Sequence, residues 1–365
     1  MKKIVLLTFL TLFALASLAN AEIQTYEGTG EYIMSDFETP DIAKQRAKAR
    51  AEQNAVEQAG VYVKSYTRTV NSVVAEDEVI AIANTIIKVN KVDYTTTPVN
   101  DSGGSFRIVA KIQATVDSAK IDAWLKRSAQ ENTELIEQNK QLQQEKVKQD
   151  AEIAELRKKL ANVTNEQEKK KLEKDVISED RKFLSNQKVE EGLKYYDRKD
   201  IVTALKYFNE AIELHPSNAN AYFGRSRVQF ALRKWKESRD DLTSAIACNP
   251  NFALAYYLRG LSWISPDDIQ QQLRALKEGN TEAWNKIQEK NNDYARLAIA
   301  DFSCAITIRP EIGEAYYNRG LCYRQLKQYK KAISDFEKAV SLGLEDKYDM
   351  RNAKRELERC KSMII

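Results

Sequence analysis

Histidine, cysteine and paired carboxylates build most catalytic and metal centres, and this chain of 365 residues is poor in them. It has one histidine, His215, and four cysteines, Cys248, Cys304, Cys322 and Cys360. A zinc site needs four such ligands at short, regular spacing, and none occurs. His215 precedes Pro216 at a turn, so it reads as structural. Asp240-Asp241 and Asp267-Asp268 are paired carboxylates without an opposing base or nucleophile, and they read as solvated helix faces or caps. Cys304 and Cys322 could pair in an oxidising compartment, although buried thiols on helices are commonly just small hydrophobes. No catalytic, cofactor-binding or metal-binding residue is assigned, and the chain is not read as an enzyme. Lys plus Arg number 57 against 53 Asp plus Glu, so the net charge of +4 gives no reason to expect nucleic acid. Binding chemistry remains, and aromatic residues at a fixed spacing carry it.

Those aromatics belong to repeats. Pro216 and Pro250 are offset by 250 − 216 = 34, and Gly192, Ser226 and Gly260 keep the same period. The segments beginning Ala221-Tyr-Phe-Gly-Arg-Ser, Ala255-Tyr-Tyr-Leu-Arg-Gly and Ala315-Tyr-Tyr-Asn-Arg-Gly align, as do 204–216, 238–250, 298–310 and 332–344. Small residues at Gly192, Ser226, Gly260 and Gly320 face Ala204, Ser238, Ala298 and Ala332, where two helices must touch. Phe208, Leu242, Phe302 and Phe336 fill the space beside them. Between Pro250 and Pro310 the offset is 310 − 250 = 60, and 60 − 34 leaves an insertion of 26. Within it, Ser265-Pro266-Asp267-Asp268 reads as a helix start and Gly279-Asn280-Thr281-Glu282 as a stop followed by a new start, which predicts two helices extending the hairpin. Trp263 and Trp284 are expected to pack the insertion on the stack.

The pattern resembles the tetratricopeptide repeat family. The resemblance implies four repeats, at about 185–218, 219–252, 253–312 with the insertion, and 313–345, closed by a charged capping helix over 346–365. It further implies an all-α superhelix whose inner wall, lined by the first helix of each repeat, holds a peptide or partner helix. The positions equivalent to that wall are Val189, Phe223, Tyr257 and Tyr317, with Leu193, Arg227, Leu261 and Leu321 one turn later and Arg324 beyond. Relatives that grip a C-terminal carboxylate place Lys and Asn at these positions; this chain does not, so that activity is not carried over.

From Ser105 to Glu191 the chain contains neither glycine nor proline. Over 127–184 a heptad pattern sets Leu135, Leu142 and Leu156 at one seam position and Asn139, Ile153 and Leu160 at the other. A single helix from Ser128 to about Lys174 would be roughly 70 Å long at about 1.5 Å per residue. So polar a helix needs a partner, which predicts a central coiled coil assembling a dimer or trimer. A solvated single-helix spacer is the alternative.

Residues 1–21 carry Lys2 and Lys3, an uncharged apolar run and Ala19-Asn20-Ala21, the form of a signal peptide for export. No later run is long and apolar enough to span a bilayer. Residues 22–126 read as an α+β module. Tyr26 to Met34 is a strand, and Thr39-Pro40 opens a helix with alanine at every fourth position, which Gly60 should stop. Val61 to Val73, Ile87 to Thr97 and Ser105 to Val116 follow as strands, the last two joined at Asp101-Ser-Gly-Gly104. Gly28-Thr-Gly30 reads as a strand-edge turn. In order and motifs the module resembles the N-terminal domain of flagellar assembly protein T and related small envelope-lipoprotein domains.

The sequence therefore predicts a multi-domain exported protein with an N-terminal α+β module, a central coiled-coil helix and a C-terminal tetratricopeptide superhelix. The expected function is a periplasmic or secreted scaffold that self-associates and binds a protein or peptide partner of the cell envelope. Its plan also resembles periplasmic coordinators of envelope constriction and wall synthesis, which lack the first module. A flagellar or outer-membrane assembly factor is one alternative, and an envelope hydrolase or its regulatory subunit another.

Overall fold

The computed structural model describes residues 22–364 apart from 35–37, 71, 73, 100–104, 127–128, 265–268 and 345–346. The signal-peptide segment, the Asp101–Gly104 turn and the helix start at Ser265 therefore lie outside the described residues. The chain divides into two compact units between Lys126 and Arg127.

The first unit holds β1 (Ile23–Met34), α1 (Pro40–Thr69), α2 (Glu76–Ile86), β2 (Lys88–Pro98), β3 (Phe106–Asp117) and α3 (Ser118–Leu125). The antiparallel sheet has the order β1-β3-β2. Thr39 caps α1 by accepting the Ile42 N–H, and Ala43, Ala47, Ala51, Ala55 and Ala59 form its buried stripe. The helix does not stop at Gly60, and the strand expected from Val61 is absent, because Val63 and Thr67 continue the buried stripe at helical spacing for two more turns. Gly28 and Gly30 are not an edge turn either. They sit mid-strand opposite Ile112 and Ala110. A methyl group added at Gly28 would lie 2.1 Å from the Ala51 carbonyl oxygen, and one at Gly30 2.2 Å from that of Ala47, so these two glycines let α1 lie against the backbone of β1.

The second unit is all helical: α4 (Ala129–Asn162), α5 (Glu166–Asp197), α6 (Ile201–Leu214), α7 (Ala219–Ala231), α8 (Trp235–Cys248), α9 (Ala253–Trp263), α10 (Ile269–Lys277), α11 (Thr281–Ile308), α12 (Gly313–Gln325), α13 (Tyr329–Leu342) and α14 (Lys347–Ser362). Four hairpins make the stack: the end of α5 with α6, α7 with α8, α9 with the end of α11, and α12 with α13. Ala204, Ser238, Ala298 and Ala332 are fully buried at the helix contacts, and Phe208, Leu242, Phe302 and Phe336 are sealed beside them. Each of these phenylalanines is worth about 2–3 kcal/mol of burial. Phe208 lies between Gly192 and Gly224, where an added methyl would come within 2.7 and 2.3 Å of its ring.

The insertion forms two helical segments. Gly279 takes a left-handed φ of 63° after α10, and Asn280 caps α11, which then runs without a break into the second helix of the third hairpin. Trp263 packs with its ring tilted at 39° to that of Tyr294, centroids 5.5 Å apart, and donates to Asp301 at 3.1 Å, tying this long helix to α9.

The long single helix expected over 128–174 is broken at Val163-Thr164-Asn165. Asn165 accepts the Gln167 and Glu168 N–H groups at 2.9 and 3.2 Å and starts α5 anew. With that break α4 packs on α5 within the same chain. Leu142, Ile153 and Leu160 of the predicted seam are 1%, 3% and 8% exposed, and Leu156 is half-buried. Leu135 and Asn139 also lie on α4, with side chains outside the described set. Leu142, Ile153 and Leu160 of the seam are thus buried inside the chain, where α5 gives the polar helix an internal partner.

Candidate functional site

The inner wall of the stack is built from the first helices, and the chain's own helices cover both of its ends. Val189 of α5 is fully buried and Leu193 is 7% exposed; both join Ala221 and Val228 of α7 in one apolar cluster that also contains Leu142 of α4. One turn further along α4, Glu145 accepts from the Asn186 amide at 3.2 Å and from the Asn220 amide at 3.4 Å. Asn186 and Asn220 are 2% and 1% exposed, and their offset, 220 − 186 = 34, makes them the same position in successive repeats. Lys146 pairs with Glu190 at 2.5 Å beside them.

The turn between repeats fixes this pair. Asn218 caps α7 by accepting the Ala221 N–H at 3.1 Å. Its amide donates to Ser185 and to the Asn186 side-chain oxygen, both at 2.8 Å, which turns the Asn186 N–H₂ toward Glu145. Burial pushes the Glu145 carboxyl above its ordinary range, opposed by the two amides and by Lys148. His215 closes α6 with its backbone N–H on Ala211 at 3.0 Å and accepts the Asn218 N–H at 3.0 Å, and burial lowers its pKa, in keeping with a structural turn residue.

At the other end α14 covers the fourth repeat. Tyr317 packs with Leu344, Ala353 and Cys360, and Leu321 lies against the same cluster. Arg324 hydrogen-bonds Glu356 of α14. Burial, then Asp349 and Glu356, raise the Tyr317 phenol pKa.

The structure places the predicted wall residues as follows. Val189, Phe223 and Tyr257 are 0%, 0% and 3% exposed and Tyr317 is 8%, so all four are packed against neighbouring helices. Arg227 is 5% exposed, its guanidinium 4.7 Å above the Tyr196 ring. Leu261, Leu321 and Arg324 are half-buried. The alternation that marks an aromatic as wall-facing also marks it as inter-repeat packing, and here packing takes it.

The sequence reading missed a second set. Arg225, Arg259 and Arg319 each hold an aspartate of the second helix of their own hairpin through two hydrogen bonds, Asp241 at 2.8 and 2.6 Å, Asp301 at 3.0 and 2.7 Å, and Asp335 at 2.8 and 2.8 Å. Each guanidinium also reaches the preceding repeat, to Asn209, Thr243 and Ser303. Asp241 is therefore not on a solvated face; it is 5% exposed and paired. The signal was the arginine shared by the three aligned segments.

All four cysteines are free, so Cys304 and Cys322 are not joined: Cys304 is exposed while Cys322 is buried. Among the described residues no group of three or more His, Cys, Asp and Glu could hold a metal ion. No helix of the described residues is long and apolar enough to cross a membrane.

The tetratricopeptide repeat family pattern matches residues 189–253 and 313–342. Among curated proteins, the DnaJ homolog subfamily C member 7 homolog of Dictyostelium discoideum is 28% identical over 144 residues, covering 40% of this chain and 21% of that protein. Tetratricopeptide repeat protein 6 of Homo sapiens is 26% identical over 150 residues, covering 39% of this chain and 29% of that one. The chain thus spans under a third of the length of these relatives. Among solved structures, a crystal structure of MamA is 21% identical with a TM-score of 0.34, over 49% of this chain and 96% of that one. A thermophilic tetratricopeptide repeat protein of Thermus thermophilus is 21% identical with a TM-score of 0.35, over 47% and 80%.

Proposed function

We propose that this chain, whose residues 189–253 and 313–342 are tetratricopeptide repeats, is a non-catalytic scaffold that takes a segment of a protein partner along the inner wall of the stack. The observation that carries the reading is α4 itself: the first helices of two successive repeats already hold a helix by an apolar residue, Leu142, and a carboxylate, Glu145. Stacked repeats present such walls generally.

Export to the cell envelope belongs to the same reading and is supported by the charged, apolar and small-residue order of residues 1–21. Recovery of a chain beginning at Glu22 from the native cell tests it. Self-association through the heptad residues is also part of the proposal. It requires the α4–α5 hairpin to open, since Leu142, Ile153 and Leu160 are buried within one chain; light scattering across a concentration series tests it.

The binding test places a photo-crosslinking amino acid at Leu261 on the inner helix α9, and in a second protein at Val202, which is 80% exposed on the second helix α6. In the native cell the first should give one dominant protein adduct that the second lacks. Adducts from Val202 alone would move binding off the inner wall.

A further inference from the structure

A carboxylate is a costly group to bury without a cation, and an apolar residue at position 145 would pack the same wall with less desolvation. Here the wall supplies two amide donors for the partly buried Glu145, besides the charge of Lys148: Asn186 and Asn220, at equivalent places in two repeats and almost fully buried themselves. Asn186 is held in that orientation by Asn218. Two fixed donors one helical turn along from an apolar socket form a pattern that reads a helix face: one residue at i for the socket of Val189, Leu193, Ala221 and Val228, and an acidic residue at i+3 for the amides. On α4 those residues are Leu142 and Glu145.

One face of α4 stays open to solvent. Val147, next to the contact, is 72% exposed, and Lys148, which favours the charged carboxylate, has its side chain 77% exposed. The non-helical Val163-Thr164-Asn165 link joins α4 to α5.

We infer that the wall of the first two repeats is a docking site for an amphipathic helix of a protein partner that carries a leucine at i and a glutamate at i+3, and that α4 is an internal copy of this ligand which the partner displaces. The inference rests on the reading of the stack as a protein-binding surface and narrows its partner. The wall offers an apolar socket, two neutral amide donors and the Glu190 carboxylate that pairs with Lys146, so the partner helix carries an acidic residue at i+3 with room for a basic one at i+4. A ligand that shares its site with a tethered competitor loses apparent affinity in proportion to the fraction of sites the competitor fills.

The test uses the full chain and a labelled synthetic peptide of residues 137–151. A zero-length carbodiimide joins amines to carboxylates already in an ion pair, so Lys146 and Glu190 at 2.5 Å should give a crosslinked peptide pair that reports docked α4. Saturating peptide should reduce that crosslink at least fivefold, and peptides with Leu142→Ala or Glu145→Ala should not. The full chain with Leu142→Ala, which weakens the internal ligand, should bind the peptide at least tenfold more tightly than the unaltered chain. Adding Asn220→Ala to it should remove most of that gain with an unchanged circular dichroism spectrum. A crosslink indifferent to peptide, equal binding by the altered peptides, or no gain from Leu142→Ala overturns the inference. So does a Lys146–Glu190 crosslink that forms between light and heavy isotope-labelled copies, which would make a second copy the occupant. If the Leu261 adduct of the previous section persists while any of these fails, the wall still binds a partner and only the helix rule is wrong.

Discussion

Arg259 holds Asp301 by two hydrogen bonds across 42 residues of chain, whereas Arg225 to Asp241 and Arg319 to Asp335 each span 16. The difference, 42 − 16 = 26, is the length of the insertion. The extra segment therefore leaves this pairing between the two helices of the hairpin unchanged.

Because Asp301 is 5% exposed, Arg259→Ala should leave a nearly buried carboxylate with only Trp263 as donor among these partners. Removing one member of a buried pair costs up to ~3–5 kcal/mol, and the partly exposed Arg259 lowers that to about 2–3 kcal/mol. Urea denaturation should show it, and Arg259→Lys should recover less than half, since an ammonium cannot make both bonds. A loss below ~0.5 kcal/mol would mean the pair is ornamental.

The turns inside three hairpins carry a different device. Lys199, Arg233 and Lys327 take left-handed φ values of 62°, 59° and 58°. At each, two backbone bonds close the preceding helix, as when Arg233 N–H reaches Phe230 and Lys234 N–H reaches Gln229. Glycine is the usual residue there, so Arg233→Gly should stabilise by about 0.5–1 kcal/mol while Arg233→Ala should not. A stabilisation by alanine as large as that by glycine would reject backbone strain as the cause.

Thiol chemistry separates the four cysteines. Cys248 and Cys304 are exposed and Cys322 and Cys360 buried; burial raises the Cys322 thiol to about 12 and also lifts Cys248 and Cys360. The thiolate is the reactive form, so a colourimetric thiol reagent at pH 8 should titrate about two groups in the native chain and about four in denaturant. Because the Cys322 pKa lies far above that pH, raising the pH to 9 should not bring it into the native count. A native count of zero with recovery on reduction would reveal a disulfide.

The repeats were legible because their constraint is local and periodic: helices that touch at Gly192, Gly260 and Gly320 admit nothing larger, so the positions recur in the sequence. Helix ends marked by residue type were legible as well, as at Gly279-Asn280. Those at Lys199, Arg233 and Lys327 were not, since a basic residue in a left-handed turn leaves no signal. The fold-back of α4 escaped for a related reason. A seam of Leu142, Ile153 and Leu160 looks the same whether its partner is another copy or the next helix, and the break at Asn165 is what lets α4 fold back on α5. Gly60 failed as a stop because the alanine stripe on either side of it outweighed one glycine. Phe223, Tyr257 and Tyr317 are packed because a repeat places its large aromatics on its neighbour before it can offer any to a ligand.

A stack of hairpins has, by construction, a final face that matches the first face of an identical molecule, which makes end-to-end polymerisation the default hazard of such architecture. Helix α14 occupies that face on the fourth repeat, with Ala353 and Cys360 sealed against Phe336 and Tyr317. Fibre growth from this end is blocked by a segment of the molecule itself, so any higher assembly has to use other surfaces.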